Sequence, residues 1–236
     1  MKILALDSSG LVASAAVVED DVTVAEYTLN YKKTHSQTLL PMLDEIKRMT
    51  ELNLNTIDAI AIASGPGSFT GLRIGAATAK GLGLALDIPI IPVPTVDALA
   101  YNLYGSEKMI CPLMDARRNQ VYTGLYTFEG STLVTAEPQC AVDISEMIDK
   151  INTFGKAVVY LGDGVCVYQD RIEELTKVPY DLAPACCNRQ RAACVASLGE
   201  KLYRSGIVES AAQHAPNYLR LSQAERERAQ KSNEVS

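Results

Sequence analysis

The chain has 236 residues, 47% hydrophobic and 21% charged, enough apolar content to bury one large core or two small ones and far from the composition of a disordered protein. With 22 Lys and Arg against 28 Asp and Glu, its formal charge is −6, and no basic cluster exceeds a pair, so the chain is not expected to hold nucleic acid by itself. The MKILALD start is too short an apolar run for a signal peptide, no segment approaches about 18 uninterrupted apolar residues, and the six cysteines include no Cys-x-x-Cys pair, which predicts a cytoplasmic chain with no membrane contact and buried, reduced thiols.

Residues 2–7 read as an apolar strand ending in Asp7, followed by strands over 12–18 and 22–31 joined at Glu19-Asp20-Asp21, a three-stranded meander. Thr34-His35-Ser36-Gln37 matches the Thr-x-x-Gln capping box and opens a helix with Leu39, Leu43 and Ile46 on one face. Pro41 is expected to kink that helix or to mark its true first turn. A continuous apolar strand over 57–63 leads into Ser64-Gly65-Pro66-Gly67-Ser68-Phe69-Thr70-Gly71-Leu72-Arg73-Ile74-Gly75, then come a helix over about 70–86, a strand over 88–93 and a short helix after Thr95. The order is βββαβαβ.

The same opening recurs after Lys108. A strand over 109–114 ends in Asp115, a polar turn follows, and an alternating strand covers 121–128. A helix capped by Asp143-Ile144-Ser145-Glu146, a buried strand over 158–161 and helices near 168–177 and 189–205 complete the unit. Two ribonuclease-H-like halves, each opening with a strand that ends in Asp, the second abbreviated, are the pattern of the actin, hexokinase and Hsp70 superfamily. The expected halves are 1–106 and 107–221, and the charged stretch 222–236 is expected to be a frayed helix or a disordered tail.

The glycine loop carries four glycines in eleven positions between strand and helix, yet fits no standard phosphate loop. Thr70 stands where a dinucleotide fingerprint has its third glycine, and Lys80 is followed by Gly81 rather than Ser or Thr. Actin-like phosphotransferases need a glycine turn after the first-strand aspartate, so that N–H groups and a hydroxyl face phosphate and Mg²⁺. Asp7-Ser8-Ser9-Gly10 keeps the aspartate and hydroxyls but moves the glycine, while Asp115-Ala116-Arg117-Arg118 has none. Two roles for Asp7, with Ser8 and Ser9, stay open: a turn cap, or a vestigial phosphate or Mg²⁺ contact. Asp115 with Arg117 and Arg118 reads as an ion-paired turn or a partner contact rather than a catalytic group. Gly71, Gly75, Ala79 and Gly83 recur at i+4, a flat strip that either packs on its own sheet or meets a partner helix, with Leu72, Ile74, Leu82 and Leu86 around it. There is no Gly-x-Ser-x-Gly elbow and no His-Glu-x-x-His, which argues against a peptidase.

Several strings together resemble the bacterial TsaB (YeaZ) family: LDSS at 6–9, HSQTLLP at 35–41, SGPGSFTGLRIG at 64–75, MDARRNQVY at 114–122 and PNYLR at 216–220. The resemblance implies a non-catalytic, actin-like scaffold subunit, paired through its N-terminal helices with a TsaD-like catalytic subunit or, when alone, with itself. With a TsaE-like ATPase it would support threonylcarbamoylation of N6 of the adenosine beside the anticodon, in tRNAs reading ANN codons. It favours the partner reading of the strip Gly71, Leu72, Ile74, Gly75, Ala79, Leu82 and Gly83, tRNA contact only through the complex, and ATP and Mg²⁺ used by the complex rather than bound by the chain alone. Where TsaD carries a metal-binding His-x-x-x-His pair, His35 here is followed at i+4 by Leu39, so no metal is expected and His35 reads as a helix N-terminal residue bonding locally. The alternatives are a stand-alone actin-like small-molecule kinase and, last, a glycoprotease-like peptidase.

Overall fold

The computed structural model describes residues 1–220; the charged stretch 222–236 lies outside the described residues. The first sheet contains β1 (Lys2–Asp7), β2 (Ala13–Glu19), β3 (Val22–Leu29), β4 (Ala59–Gly65) and β5 (Ile90–Pro94), in the order β3-β2-β1-β4-β5. The first three strands form the antiparallel meander, whereas β4 and β5 run parallel to β1 because helices α1 (His35–Thr50) and α2 (Phe69–Leu86) carry the chain back across the sheet. After the short α3 (Thr95–Ala100), the second sheet takes β6 (Met109–Asp115), β7 (Gln120–Glu129), β8 (Thr132–Asp143), β9 (Val158–Leu161) and β10 (Tyr180–Leu182). Its order, β8-β7-β6-β9-β10, repeats the first strand for strand, so β6 stands where β1 stands and Asp115 where Asp7 stands.

The second half is abbreviated in its helices: α4 (Ile144–Phe154), then the short α5 (Gly164–Val167) and α6 (Gln169–Leu175) in place of the long α2. The twelve-residue β8 was not expected, because Pro138 interrupts its alternation. Pro138 falls where the β7–β8 register shifts, between Leu125↔Glu137 and Thr123↔Cys140, on an edge strand, so its missing N–H falls at an irregularity of the ladder.

Alternation of side chains across β1 and β4 separates two apolar layers. Leu4, Leu6, Ile60 and Ile62 meet Leu39, Met42 and Ile46 of α1 and Ala79 of α2. Ile3, Ala5, Ala61 and Val93 meet Ala192, Val195, Ala196 and Leu198 of α7 (Ala192–Arg204), which follows the second sheet in the chain but packs on the first. Ser14 Oγ and Glu26 Oε1 accept the first N–H groups of α7, from Ala192 and Ala193, and Arg191 pairs with Glu26. Between the sheets, Val96, Leu99 and Ala100 of α3 pack on Ile110, Met114, Tyr126 and Leu161. There Tyr126 OH donates to Asp97 Oδ1 at 2.7 Å.

Three local expectations are corrected. Thr34 precedes α1 but its side chain caps nothing, so the capping box does not form. Pro41 lies inside α1, whose first turn is at His35, so it does not mark the helix start. All six cysteines are free, but only Cys111 is fully buried, and Cys166 and Cys186 are exposed.

Candidate functional site

The turn after β1 is buried almost completely: Asp7, Ser8 and Ser9 are 1%, 2% and 0% exposed. Asp7 Oδ1 accepts from the Ser9 N–H at 2.9 Å and the Ser9 O–H at 2.7 Å. Burial pushes the Asp7 carboxyl up to about 6, against the pull of those two hydrogen bonds and of His35. Ser8 Oγ donates to Gly71 O at 2.8 Å, and Ser9 O accepts the Ser68 N–H at 2.6 Å. His35 Nε2 donates to Gly10 O at 2.8 Å, the local bond expected of it, and its Nδ1 is buried with no partner among the described residues. Gln190, 2% exposed, closes the turn from the α7 side, its Nε2 only 2.7 Å from where a side chain on Gly10 would begin.

The glycine loop explains this closure. A Cβ on Gly67 would press on the backbone of Ser9, one on Gly71 on Ser8 O, and one on Gly75 on Ser8 Oγ and, at 3.1 Å, Ile62 Cδ1. A Cβ on Gly83 would lie 2.9 Å from that of Ala211. Gly71, Leu72, Gly75, Ala79 and Gly83 are therefore the inward face of α2, seated on the chain's own turn, sheet and C-terminal segment, with Ile74 and Leu82 half-buried at its margin. That corrects the partner-facing reading of the strip: equal spacing of small residues cannot tell which backbone they admit. The outward face carries Arg73, Ala77, Gly81 and Leu84, all exposed, and a Cβ on Gly81 would meet nothing within 4 Å. Beside it on the same side of the sheet, α1 exposes Leu40 and Met49. Ser68 is the N-cap of α2, its Oγ accepting from Gly71 N–H.

These residues do not fit a nucleotide–Mg²⁺ clamp. The hydroxyls and the Ser9 N–H that would face phosphate are committed to Asp7 and Gly71, and the space a phosphate would need holds the glycine loop.

The Asp115 turn differs. Asp115 Oδ1 accepts from the Arg117 backbone N–H at 2.8 Å and from Tyr168 OH at 2.9 Å, so the turn is held by backbone and phenol; the expected ion pair with Arg117 or Arg118 does not form among the described residues. Burial, together with Asp115, pushes the Tyr168 hydroxyl up to about 12. Asp163 Oδ1 accepts from Asp115 N–H at 3.4 Å, and burial raises its carboxyl. Arg117, Arg118 and Asn119 have φ of 63°, 57° and 60°, three successive left-handed residues without a glycine. Whereas α2 closes on the Asp7 turn, the Asp115 turn is met by Tyr168, between α5 and α6, and keeps beside it an open cleft of about 590 Å³, lined in part by Arg117, Arg118, Tyr168, Asp170 and Arg171.

Residues 207–220 form a strap that returns along the first half. Ile90 bridges Glu209, Lys80 Nζ donates to the carbonyls of Ala212 and His214 at 2.9 Å each, and Asn217 N–H donates to Ser64 O at 2.7 Å. Tyr218 stacks on Phe69, ring centroids 4.8 Å apart, with the Arg73 guanidinium 4.0 Å from the Phe69 centroid. Arg220 Nη1 then donates to Ala116 O at 2.7 Å, so two residues beyond the glycine loop the strap reaches the Asp115 turn. The sequence signals neither Tyr168 nor Gln190, and PNYLR is only a recognisable string there, without a contact.

Residues 23–228 match the family model described as "TsaD: tRNA N6-adenosine threonylcarbamoyltransferase". A relative from Bacillus subtilis (strain 168), named tRNA threonylcarbamoyladenosine biosynthesis protein TsaB, is 33% identical over 227 residues, 95% of this chain and 96% of its own. YeaZ from Pseudomonas aeruginosa is similar in structure with a TM-score of 0.76 at 26% identity, over 92% of this chain and 99% of that one. An inorganic polyphosphate/ATP-glucomannokinase from Arthrobacter sp. strain KM, with a TM-score of 0.51 at 9% identity over 86% of this chain and 99% of its own, shares the actin-like fold alone. With a relative one-third identical across nearly the whole of both chains, and the YeaZ fold, the chain belongs to the TsaB (YeaZ) family of tRNA threonylcarbamoyladenosine biosynthesis proteins.

Proposed function

We propose that this chain is a non-catalytic scaffold subunit of a cytoplasmic tRNA threonylcarbamoyltransferase complex, working with a TsaD-like catalytic subunit and a TsaE-like ATPase on the adenosine beside the anticodon in tRNAs reading ANN codons. The observation that carries this reading is the closed Asp7 turn. A catalytic actin-like subunit keeps that turn open for phosphate and metal, whereas here the glycine loop fills it and the second turn has no glycine. ATP and Mg²⁺ then belong to the complex, not to the isolated chain. Among the described residues no group of three His, Cys, Asp or Glu could hold a metal ion, and no helix is long and apolar enough to cross a membrane. The partner helices dock on the outward face of α2 and on α1, around Ala77, Gly81, Leu84 and Leu40, and the same face serves a homodimer when the chain is alone.

Reconstitution tests this. A mixture of the TsaD-like and TsaE-like subunits, an adenylate-forming enzyme, threonine, bicarbonate, ATP and unmodified tRNA should form modified adenosine only when this chain is added. Full modification in its absence overturns the proposal.

A further inference from the structure

Among the described residues the arginines fall into two groups, apart from Arg189, which has no carboxylate partner and donates to the carbonyls of Gly162 and Asn188. Arg48, Arg171, Arg191 and Arg204 are each paired with a glutamate. Arg73, Arg117, Arg118 and Arg220 have no carboxylate at ion-pair distance among the described residues, and they lie along one path. Arg73 sits on the Phe69–Tyr218 stack, Tyr218 is two residues from Arg220, and Arg220 is bonded to Ala116, the neighbour of Arg117 and Arg118. Two residues of chain span at most about 7 Å, so the strap links four guanidinium groups that have no direct ion pair, with Asp115, Asp170 and Glu174 lining the cleft beside Arg117 and Arg118, across both halves of a chain whose net charge is −6. Arg117 and Arg118 are exposed, on a left-handed run that non-glycine residues rarely adopt and that turns the chain from β6 into β7. Tyr218 leaves 38% of its surface open beside Arg73.

Guanidinium forks bind phosphate oxygens in pairs, and an aromatic face beside them accepts an unstacked base or a ribose. We propose that this arginine path is the surface through which the chain grips the phosphodiester backbone of a structured RNA. The inference rests on the reading of the chain as a subunit of a tRNA-modifying complex. Four contacts on an otherwise acidic surface are too few for the lone chain to hold RNA, but they orient RNA that a partner also holds.

The test uses the assembled complex with a fluorescently labelled, unmodified tRNA transcript. Arg117→Glu with Arg118→Glu, and the milder Arg117→Ala with Arg118→Ala, are compared with wild type by anisotropy from about 50 to about 200 mM salt. Loss of two phosphate contacts should weaken binding about tenfold or more and lower the slope of log affinity against log salt by roughly 1.5. Unchanged affinity and slope in either folded pair, with the complex intact, overturns the proposal. Failure of the complex to assemble also overturns it, since the arginines would then meet a protein. If the glutamate pair does not fold, the alanine pair decides. The scaffold reading fails by a different result, full modification without this chain.

Discussion

Asp7 and Asp115 end the equivalent central strands β1 and β6, and each carboxylate accepts from the backbone N–H two residues onward, Ser9 at 2.9 Å and Arg117 at 2.8 Å. The second partner separates them. Asp7 takes the Ser9 hydroxyl from within its own turn, while Asp115 takes a phenol from Tyr168, 53 residues away, so the first turn is sealed by the glycine loop and the second is propped on Tyr168 with a cleft beside it.

The sealed turn makes stability depend on pH. Asp7 holds its proton in the folded chain up to about 6, against an ordinary value of 3.8 when unfolded. The folded state binds the extra proton between those values, so this contribution is fully present below the unfolded value and is lost as pH rises through about 6. Its ceiling is about 3 kcal/mol. Asp7→Asn keeps the shape and does not titrate. Its stability relative to wild type, from denaturant unfolding, should therefore rise between pH 4 and pH 7.5 by an amount approaching that ceiling. A difference that stays constant across the window would mean the carboxylate titrates normally.

Glycines on opposite faces of α2 should respond oppositely to one methyl group. Gly71→Ala drives Cβ into Ser8 O, a backbone atom that cannot step aside, and should destabilise by about 1–3 kcal/mol or more. Gly81→Ala meets nothing and removes a mid-helix glycine, so it should stabilise by about 0.5–1 kcal/mol. Thermal unfolding of the two variants reads both signs at once.

The outward face of α2 should govern association. Ala77→Arg or Leu84→Asp changes exposed positions, so the monomer should keep its stability to within about 0.5 kcal/mol. Both should weaken self-association and binding of the TsaD-like subunit by about tenfold or more, the cost of burying an unpaired charge at a helix contact. Sedimentation of the lone chain and titration with the partner give the two constants separately, and unchanged values for both would move the interface elsewhere.

Ser68 separates a scaffold from a hydrolase. It caps α2, so Ser68→Ala should cost about 1 kcal/mol of stability. In the reconstituted complex, tRNA modification should remain near wild type. The lone chain should also show no Mg²⁺-dependent ATP hydrolysis; a rate abolished by Asp7→Asn would restore the phosphate role to that turn.

Strand and helix order through β5, the repeat of that order after Lys108 and the aspartate ending each half's first strand were legible because burial periodicity and turn chemistry are local. The strand Val158–Leu161 is placed to the residue by its apolar run between polar flanks. Beyond that reach, a spacing carries no direction. Gly71, Gly75, Ala79 and Gly83 announce a close approach, but only the folded chain decides that Ser8, Ile62 and Ala211 fill it. Pro138 hides β8 because its tolerance depends on a register shift made with another strand. The seating of α7 on the first sheet, the Tyr168 contact with Asp115 and the strap from Ser64 to Ala116 are likewise long-range pairings. Their partners lie tens to more than a hundred residues away, and no local periodicity encodes which of many apolar or polar groups will meet, because the choice is made by the packing of the whole chain.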